Sequence, residues 1–316
     1  MDPERSHQWV MRLARWLPFL ARQPQIQRPV KVFGITFPNP IGLAAGFDKN
    51  AEHLQVLSKM GFGSIEVGSV TPLPQDGNPK PRLQRLTDQE ALINRMGLNN
   101  IGIDQVVRNL RNRPTNLILG ASFTKNTATR FDQAIEDYRV CLERLYPVTD
   151  YLVADVSCPN TGELEASSNL EFLEALSASL KTMQRQLHIK QDRYVPLLLK
   201  LSSDWDQVIL EPLTQILIRH SIDGVICGNT SHGLSGRPLF PKALALVKTM
   251  GQLLAGRIPI IGVGGISTRL DLLSMQEAGA ELFQIYTALV YRGPQVVSEL
   301  LGPNLTVSRH PPFVAG

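Results

Sequence analysis

Short apolar runs alternate with longer amphipathic segments along almost the whole chain, and this alternation restricts the possible folds more than any other feature. Runs at residues 40–45, 64–70, 116–123, 151–156, 195–201, 224–228, 258–263 and 282–286 are nearly continuous in apolar residues. Segments with helical periodicity lie between them, at 51–60, 131–145, 169–187, 205–220, 241–254 and 268–278. Strands this apolar are covered on both faces, as in a parallel sheet flanked by helices. Eight such units in about 250 residues match the TIM (β/α)8 barrel in number and length. A doubly wound sheet has no need of eight regular units.

The chain has 316 residues, enough for one large α/β domain or two ordinary ones, and 43% of them are hydrophobic. A net charge of +4 from scattered Lys and Arg argues against a nucleic-acid partner. Cys141, Cys158 and Cys227 are odd in number and unpatterned, so neither a disulfide framework nor a metal site is expected. No run approaches the ~20 apolar residues of a spanning helix. The charged start, with Asp2, Glu4 and Arg5, and the lack of a cleavage site argue against a targeting peptide.

The first 28 residues read as an amphipathic extension and residues 29–316 as the barrel. Within 7–22, Trp9, Leu13, Trp16, Leu17 and Leu20 share one helical face, while Arg12, Arg15 and Arg22 lie elsewhere. Pro18 predicts a break into two short helices. Two tryptophans plus Phe19 opposite arginines suit an interfacial membrane helix. A helix capping the barrel accounts for the pattern equally well.

In a barrel the chemistry lies at the carboxyl ends of the strands. In order, these ends carry Ala45-Gly46 with Lys49, Gly68-Ser69, Ser122 with Lys125-Asn126, and Asp155 with Cys158 and Asn160. Lys200, Asn229-Thr230, Gly264-Gly265 and Tyr286-Thr287 follow. A purely structural barrel has no reason to gather lysines, amides and a thiol on one rim. Gly262-Val263-Gly264-Gly265 ends the seventh strand and Ile266-Ser267-Thr268 opens a helix, a common place for a phosphate-bearing cofactor. Glycines also serve plain turns, so their position carries this reading. Lys200 is flanked by Leu197-Leu198-Leu199 and Leu201, which disfavours an ordinary surface lysine. Cys158, followed by Pro159-Asn160, is either an acid/base thiol beside a carboxamide or an inert buried cysteine.

Several long stretches resemble the dihydroorotate dehydrogenases, specifically the membrane-associated, quinone-linked class. They are Gly42-Leu43-Ala44-Ala45-Gly46-Phe47-Asp48-Lys49, residues 61–72 and Ile93-Asn94-Arg95-Met96-Gly97-Leu98-Asn99. Residues 233–239, 260–265 and 284–289 continue the likeness in the same order, and Asp2-Pro3-Glu4-Arg5 begins it. The resemblance implies an FMN-dependent oxidoreductase of pyrimidine biosynthesis that oxidises dihydroorotate to orotate and reduces quinone. It implies FMN contacts from Ala45, Gly46, Ser69, Asn94, Ser122, Asp155, Lys200, Ser235, Gly236, Gly264, Gly265, Tyr286 and Thr287. Lys49, Asn94, Asn160, Asn229 and Thr230 would hold the substrate, and Cys158 would take the C5 proton while the C6 hydride goes to the flavin. His7, Arg85 and Tyr286 would border the quinone route, with the amphipathic start as its membrane-facing lid. The expected location is the cytoplasmic side of a bacterial-type membrane, as a peripheral protein.

The chain also departs from that class. Cys158 stands where the class has serine, and a thiol with an ordinary pKa near ~8.5 is much the stronger acid. Asp155 and Ser122 replace asparagines and Thr124 a glycine, while residues 162–169 lack the usual pattern and the Asn229-to-Gly233 connection is short. At ~6 Å and an effective dielectric near ~20, an Asp155 carboxylate and an anionic substrate repel by about 3 kcal/mol, roughly a hundredfold in affinity. An FMN barrel acting on another reduced ring, and a weakly catalytic flavin-binding relative, are the alternatives.

Overall fold

The computed structural model describes residues 2–17, 19, 21–156 and 170–302. An antiparallel hairpin of β1 (Val30–Val32) and β2 (Ile35–Phe37) comes before the barrel. The barrel strands begin with β3 (Ile41–Leu43) and β4 (Ser64–Val70). A small sheet contributes β5 (Leu83–Leu86) and β6 (Ala91–Asn94) before the barrel resumes with β7 (Leu119–Phe123), β8 (Tyr151–Asp155), β9 (Leu197–Leu201) and β10 (Gly224–Cys227). β11 (Leu234–Gly236) pairs with β6 in the small sheet, and β12 (Ile260–Val263) and β13 (Leu282–Ile285) complete the barrel. The closed order is β3-β4-β7-β8-β9-β10-β12-β13, with β13 returning to β3, and every pair is parallel. This is the expected TIM barrel.

The helices are α1 (Pro3–Trp16), α2 (Leu54–Leu57), α3 (Ile103–Leu110), α4 (Ala134–Leu145) and α5 (Leu170–Gln191). They continue with α6 (Gln207–Arg219), α7 (Phe240–Leu254), α8 (Arg269–Glu277), α9 (Thr287–Arg292) and α10 (Val296–Leu301). Local chemistry fixes several starts. Asp206 accepts from the Ile209 N–H at the head of α6, and Thr268 with Asp271 forms a capping box on α8.

The two-residue period of the strands divides the core. Leu152 and Ala154 of β8 face the helices, while Tyr151 and Val153 of the same strand fill the barrel interior. The interior is closed at one end by the hairpin, whose Val32 and Phe37 join Tyr151, Leu198 and Leu282. Two glycines make room for rings: a Cβ on Gly120 would lie 2.1 Å from Tyr151 Cζ, and one on Gly224 2.3 Å from Phe33 Cε1.

α1 begins at Pro3, with Asp2 accepting from the Arg5 N–H, and ends at Trp16. This 14-residue helix stops before Pro18, where the sequence predicts a break, and the second expected helix falls partly on residues 18 and 20, outside the described residues. Its inner face is Met11 and Ala14, while Trp9, Leu13 and Trp16 are exposed, Trp16 at 84%. The helix packs on α2 and β5, so it covers the barrel and still presents an apolar outer face. The helix expected over 51–60 is only Leu54–Leu57, and α3, the hairpin and the small sheet had no counterpart in the sequence reading. Among the described residues no helix is long and apolar enough to cross a membrane.

Candidate active site

The carboxyl ends of the strands open into a cavity that the small sheet walls on one side, through Leu83, Leu92 and Asn94. The tight ends of β3, β9 and β13 bring Ala45, Gly46, Lys49, Lys200, Tyr286 and Thr287 to its lining, and β10 brings Asn229 and Thr230. Ser69, Asp155, Asn94, Ser235, Gly236, Gly264 and Gly265 line it as well. Cys158 and Asn160 lie outside the described residues. Ser122 is absent from the lining and acts through Ser69, whose hydroxyl shares a 2.8 Å hydrogen bond with Ser122 Oγ.

Asp48 fixes the loop that carries Lys49, its carboxylate accepting from the Glu52 and His53 N–H groups at 2.9 and 2.8 Å. Asn94 is held at the end of β6 by two donations to the Gly233 carbonyl, from its N–H at 2.9 Å and its Nδ2 at 3.0 Å. The short connection after β10 is pinned from below. Asp204 Oδ1 accepts from Ser231 Oγ at 2.6 Å and from Lys242 Nζ, and Asn229 Oδ1 accepts from the Thr230 N–H at 2.8 Å. Burial works against the Asp204 charge, but the Lys242 and Ser231 hydrogen bonds outweigh it and hold the carboxyl below the usual range.

Asp155 Oδ2 accepts from Ser69 Oγ at 2.8 Å, and its backbone carbonyl accepts from Tyr138 Oη at 2.8 Å. Its register partner on β9 is Lys200, and both side chains are buried. A cation therefore stands on the strand next to the carboxylate that replaces the expected amide. Lys125, counted with the rim groups on sequence grounds, belongs elsewhere: its ammonium donates to the Asn126 and Thr129 carbonyls and stabilises its own loop.

At the β12 end, Gly264 and Gly265 have φ of +123° and +70°. A Cβ on Gly265 would meet the Phe240 nitrogen at 2.6 Å and the Gly236 carbonyl at 2.7 Å. Thr287 donates to Ser235 Oγ at 2.9 Å beside this glycine cradle. Bare glycine backbone, two hydroxyls and a lysine between apolar walls suit a phosphorylated aromatic group.

An aromatic file leads from the cavity to α1. Tyr286 and Phe47 have ring centroids 5.5 Å apart, Phe47 and His7 4.7 Å, and His7 and His53 6.1 Å. Burial, then the neighbouring His53 and Lys49 charges, push the His7 imidazole down to about 4. Burial, with the Glu4 carboxylate adding to it, pushes the Tyr286 hydroxyl up to about 12. Arg85 sits on β5, the strand that α1 packs against, and acts electrostatically on Tyr291. The sequence reading missed Gln284, Met96 and Leu98, which also line the cavity. A glutamine inside the apolar run 282–286 was a visible signal; nothing marked Met96 or Leu98.

A family model described as "Dihydroorotate dehydrogenase" matches residues 28–302. A protein of Alkalilimnicola ehrlichii named "Dihydroorotate dehydrogenase (quinone)" is 45% identical over 324 residues, 95% of this chain and 95% of that protein. One of Hamiltonella defensa with the same name is 41% identical over 321 residues, 95% of this chain and 96% of that protein. The crystal structure of DHODH from Eimeria tenella in complex with ferulenol superposes with a TM-score of 0.88 at 33% identity, covering 95% of this chain and 89% of that one. With the family model spanning most of its length and relatives above two-fifths identity, this chain belongs to the dihydroorotate dehydrogenase family.

Proposed function

We propose that the protein oxidises dihydroorotate to orotate with FMN as its cofactor and passes the electrons to a quinone. The observation that carries this reading is the convergence of Lys49, Asn94, Asn229, Thr230 and Lys200 with the Gly264-Gly265 cradle in one cavity. FMN, when bound, supplies the acceptor for the hydride leaving C6. Gly236, Gly264 and Gly265 offer close backbone approach for its phosphate, with Ser235 and Thr287 as hydroxyl partners. Lys49 neutralises the substrate carboxylate, and the Asn94 and Asn229 amides hydrogen-bond to the polar edge of the ring. Cys158 takes the C5 proton as thiolate, with Asn160 as a further amide contact.

In this reading residues 1–28 are the access element and residues 29–316 the catalytic barrel. Trp9, Leu13 and Trp16 face a membrane surface, as their exposure supports, and quinone follows the file His7, Phe47, Tyr286 inward, with Arg85 at its polar margin. The protein then works as a peripheral protein on the cytoplasmic membrane face.

Purified protein is expected to be yellow, to bleach with dihydroorotate under anaerobic conditions, and to recover its colour with quinone but not with fumarate or NAD. Intact flavin that dihydroorotate does not bleach would overturn the assignment. Asp155 favours one second reading, a less anionic reduced ring as substrate, and bleaching by a neutral dihydropyrimidine in preference to dihydroorotate would establish it.

A further inference from the structure

Below the cavity floor the barrel interior holds a carboxyl group for which the proposed chemistry has no use. Glu66, on β4, is fully buried among Tyr151 of β8, Gln284 of β13 and the Lys200 and Asp155 side chains of β9 and β8. Its Oε2 accepts from Gln284 Nε2 at 2.7 Å and from Tyr151 Oη at 3.3 Å. Its Oε1 has no hydrogen-bond partner among the described residues, and neither does Gln284 Oε1. An ionised carboxylate has about four acceptor sites to satisfy, and a bare oxygen in an enclosed core is costly. The two orphaned oxygens belong to the same pair of side chains, and what both lack is a donor. A proton on Glu66 Oε1 is such a donor. It removes the negative charge from a carboxyl one of whose oxygens has no donor, while Gln284 Nε2 still donates to Oε2.

Charge counting agrees. Lys200 and Asp155 are register neighbours at the cavity, and Glu66 is the second acid near that lysine. With both acids ionised, one ammonium would face two carboxylates just below a site built for an anionic ring and an electron-accepting group. Burial is the largest influence on Glu66 and raises its carboxyl; Lys200 and the hydrogen bonds from Gln284 and Tyr151 oppose it, and Asp155 adds to it. Tyr151 contributes no charge, since burial raises its hydroxyl well above the ordinary range.

We propose that Glu66 is a neutral carboxylic acid in the folded protein, with its proton on Oε1, and that its neutrality leaves the Lys200 ammonium to act on the cavity rather than on the barrel core. Glu66 is then a positioning residue. It orients the Gln284 amide, which lines the cavity, and sets the field of Lys200 without touching a ligand. The second half rests on the FMN reading above; the protonation state does not.

Infrared spectroscopy of wild-type holoprotein labelled with 13C-carboxyl glutamate, at pH 8, tests the state directly. A labelled acid carbonyl band is expected, and its absence overturns the proposal. The band should vanish in Glu66→Gln, an isosteric neutral side chain, and a band surviving there also overturns it. In the same variant the flavin midpoint potential should stay at the wild-type value and orotate affinity should change by less than about twofold. If Glu66 were ionised, removing its charge would raise the potential and tighten orotate by about tenfold or more. A protein that binds no flavin removes the Lys200 half and the FMN reading together, while the infrared band still decides whether Glu66 carries a proton.

Discussion

Glu4 of α1 and Arg82, just ahead of β5, form an ion pair in which Arg82 Nε and Nη2 reach Glu4 Oε1 at 3.1 and 3.0 Å. Arg82 is only 8% exposed and also donates to the Asp76 and Asn78 carbonyls at 2.6 and 3.0 Å. One guanidinium thus joins the amino-terminal helix to the loop and sheet that wall the cavity. A pair this enclosed is strong to break, because the remaining partner stays buried and charged. Glu4→Gln is expected to cost about 1–3 kcal/mol of α1 docking. Hydrogen exchange should show faster exchange in α1 with the barrel strands unchanged, and the KM for quinone should rise while flavin reduction by dihydroorotate holds.

The Asp155 carboxylate should be the main electrostatic obstacle to an anionic ligand, even with Lys200 on the next strand. Asp155→Asn keeps an oxygen to accept from Ser69 Oγ and removes the charge. Partial compensation by Lys200 reduces the bare repulsion, so orotate is expected to bind about tenfold more tightly. Titration of the flavin absorbance with orotate measures this. Unchanged or weaker binding would mean that the carboxylate does not act on the ligand's charge.

Gly265 is a sharper test of the cradle. Alanine there must adopt φ near +70° and bring its Cβ to 2.6 Å from the Phe240 nitrogen. A strain of about 1–3 kcal/mol at the loop should lower cofactor affinity by about tenfold or more. The flavin-to-protein ratio after gel filtration reads this loss. Gly256 has a similar φ of +74° with nothing within 4 Å, so Gly256→Ala should cost about 1 kcal/mol of stability and leave flavin content intact.

His7 gives the amino terminus a pH dependence. Its folded-state pKa, about 4, lies below the ordinary 6.5 of the unfolded chain. Between those values the unfolded state binds more protons, so its stabilising contribution is complete above about pH 6.5 and is lost as the pH falls through about 4. Partial exposure limits the effect to about 1–2 kcal/mol. Wild-type α1 should loosen on acidification from pH 7 to pH 4.5, by hydrogen exchange or tryptophan fluorescence, and His7→Phe should flatten that dependence. Equal acid sensitivity in the variant would assign the effect to another group.

The eight strands and the rim were legible from sequence alone because both depend on local pattern. An apolar run with polar groups at its end reads the same whatever packs on it, and so Lys49, Ser69, Asp155, Lys200, Asn229, Gly264 and Tyr286 could be named in advance. Elements without such a pattern were not legible. β5 and β6 are a short hairpin without an alternating apolar pattern, and β11 joins them from a distant segment, with Gly236 opposite Ala91. The two-sided character of α1 was also hidden, since the periodicity shows one apolar face while Met11 and Ala14 are the residues that pack. Asp155 shows the division most plainly. Its identity alone predicted repulsion in the site. Its neighbours, Ser69 at 2.8 Å and Lys200 in register on the adjacent strand, come from strands far apart in the chain, and the field at a buried charge is set by what folding brings beside it.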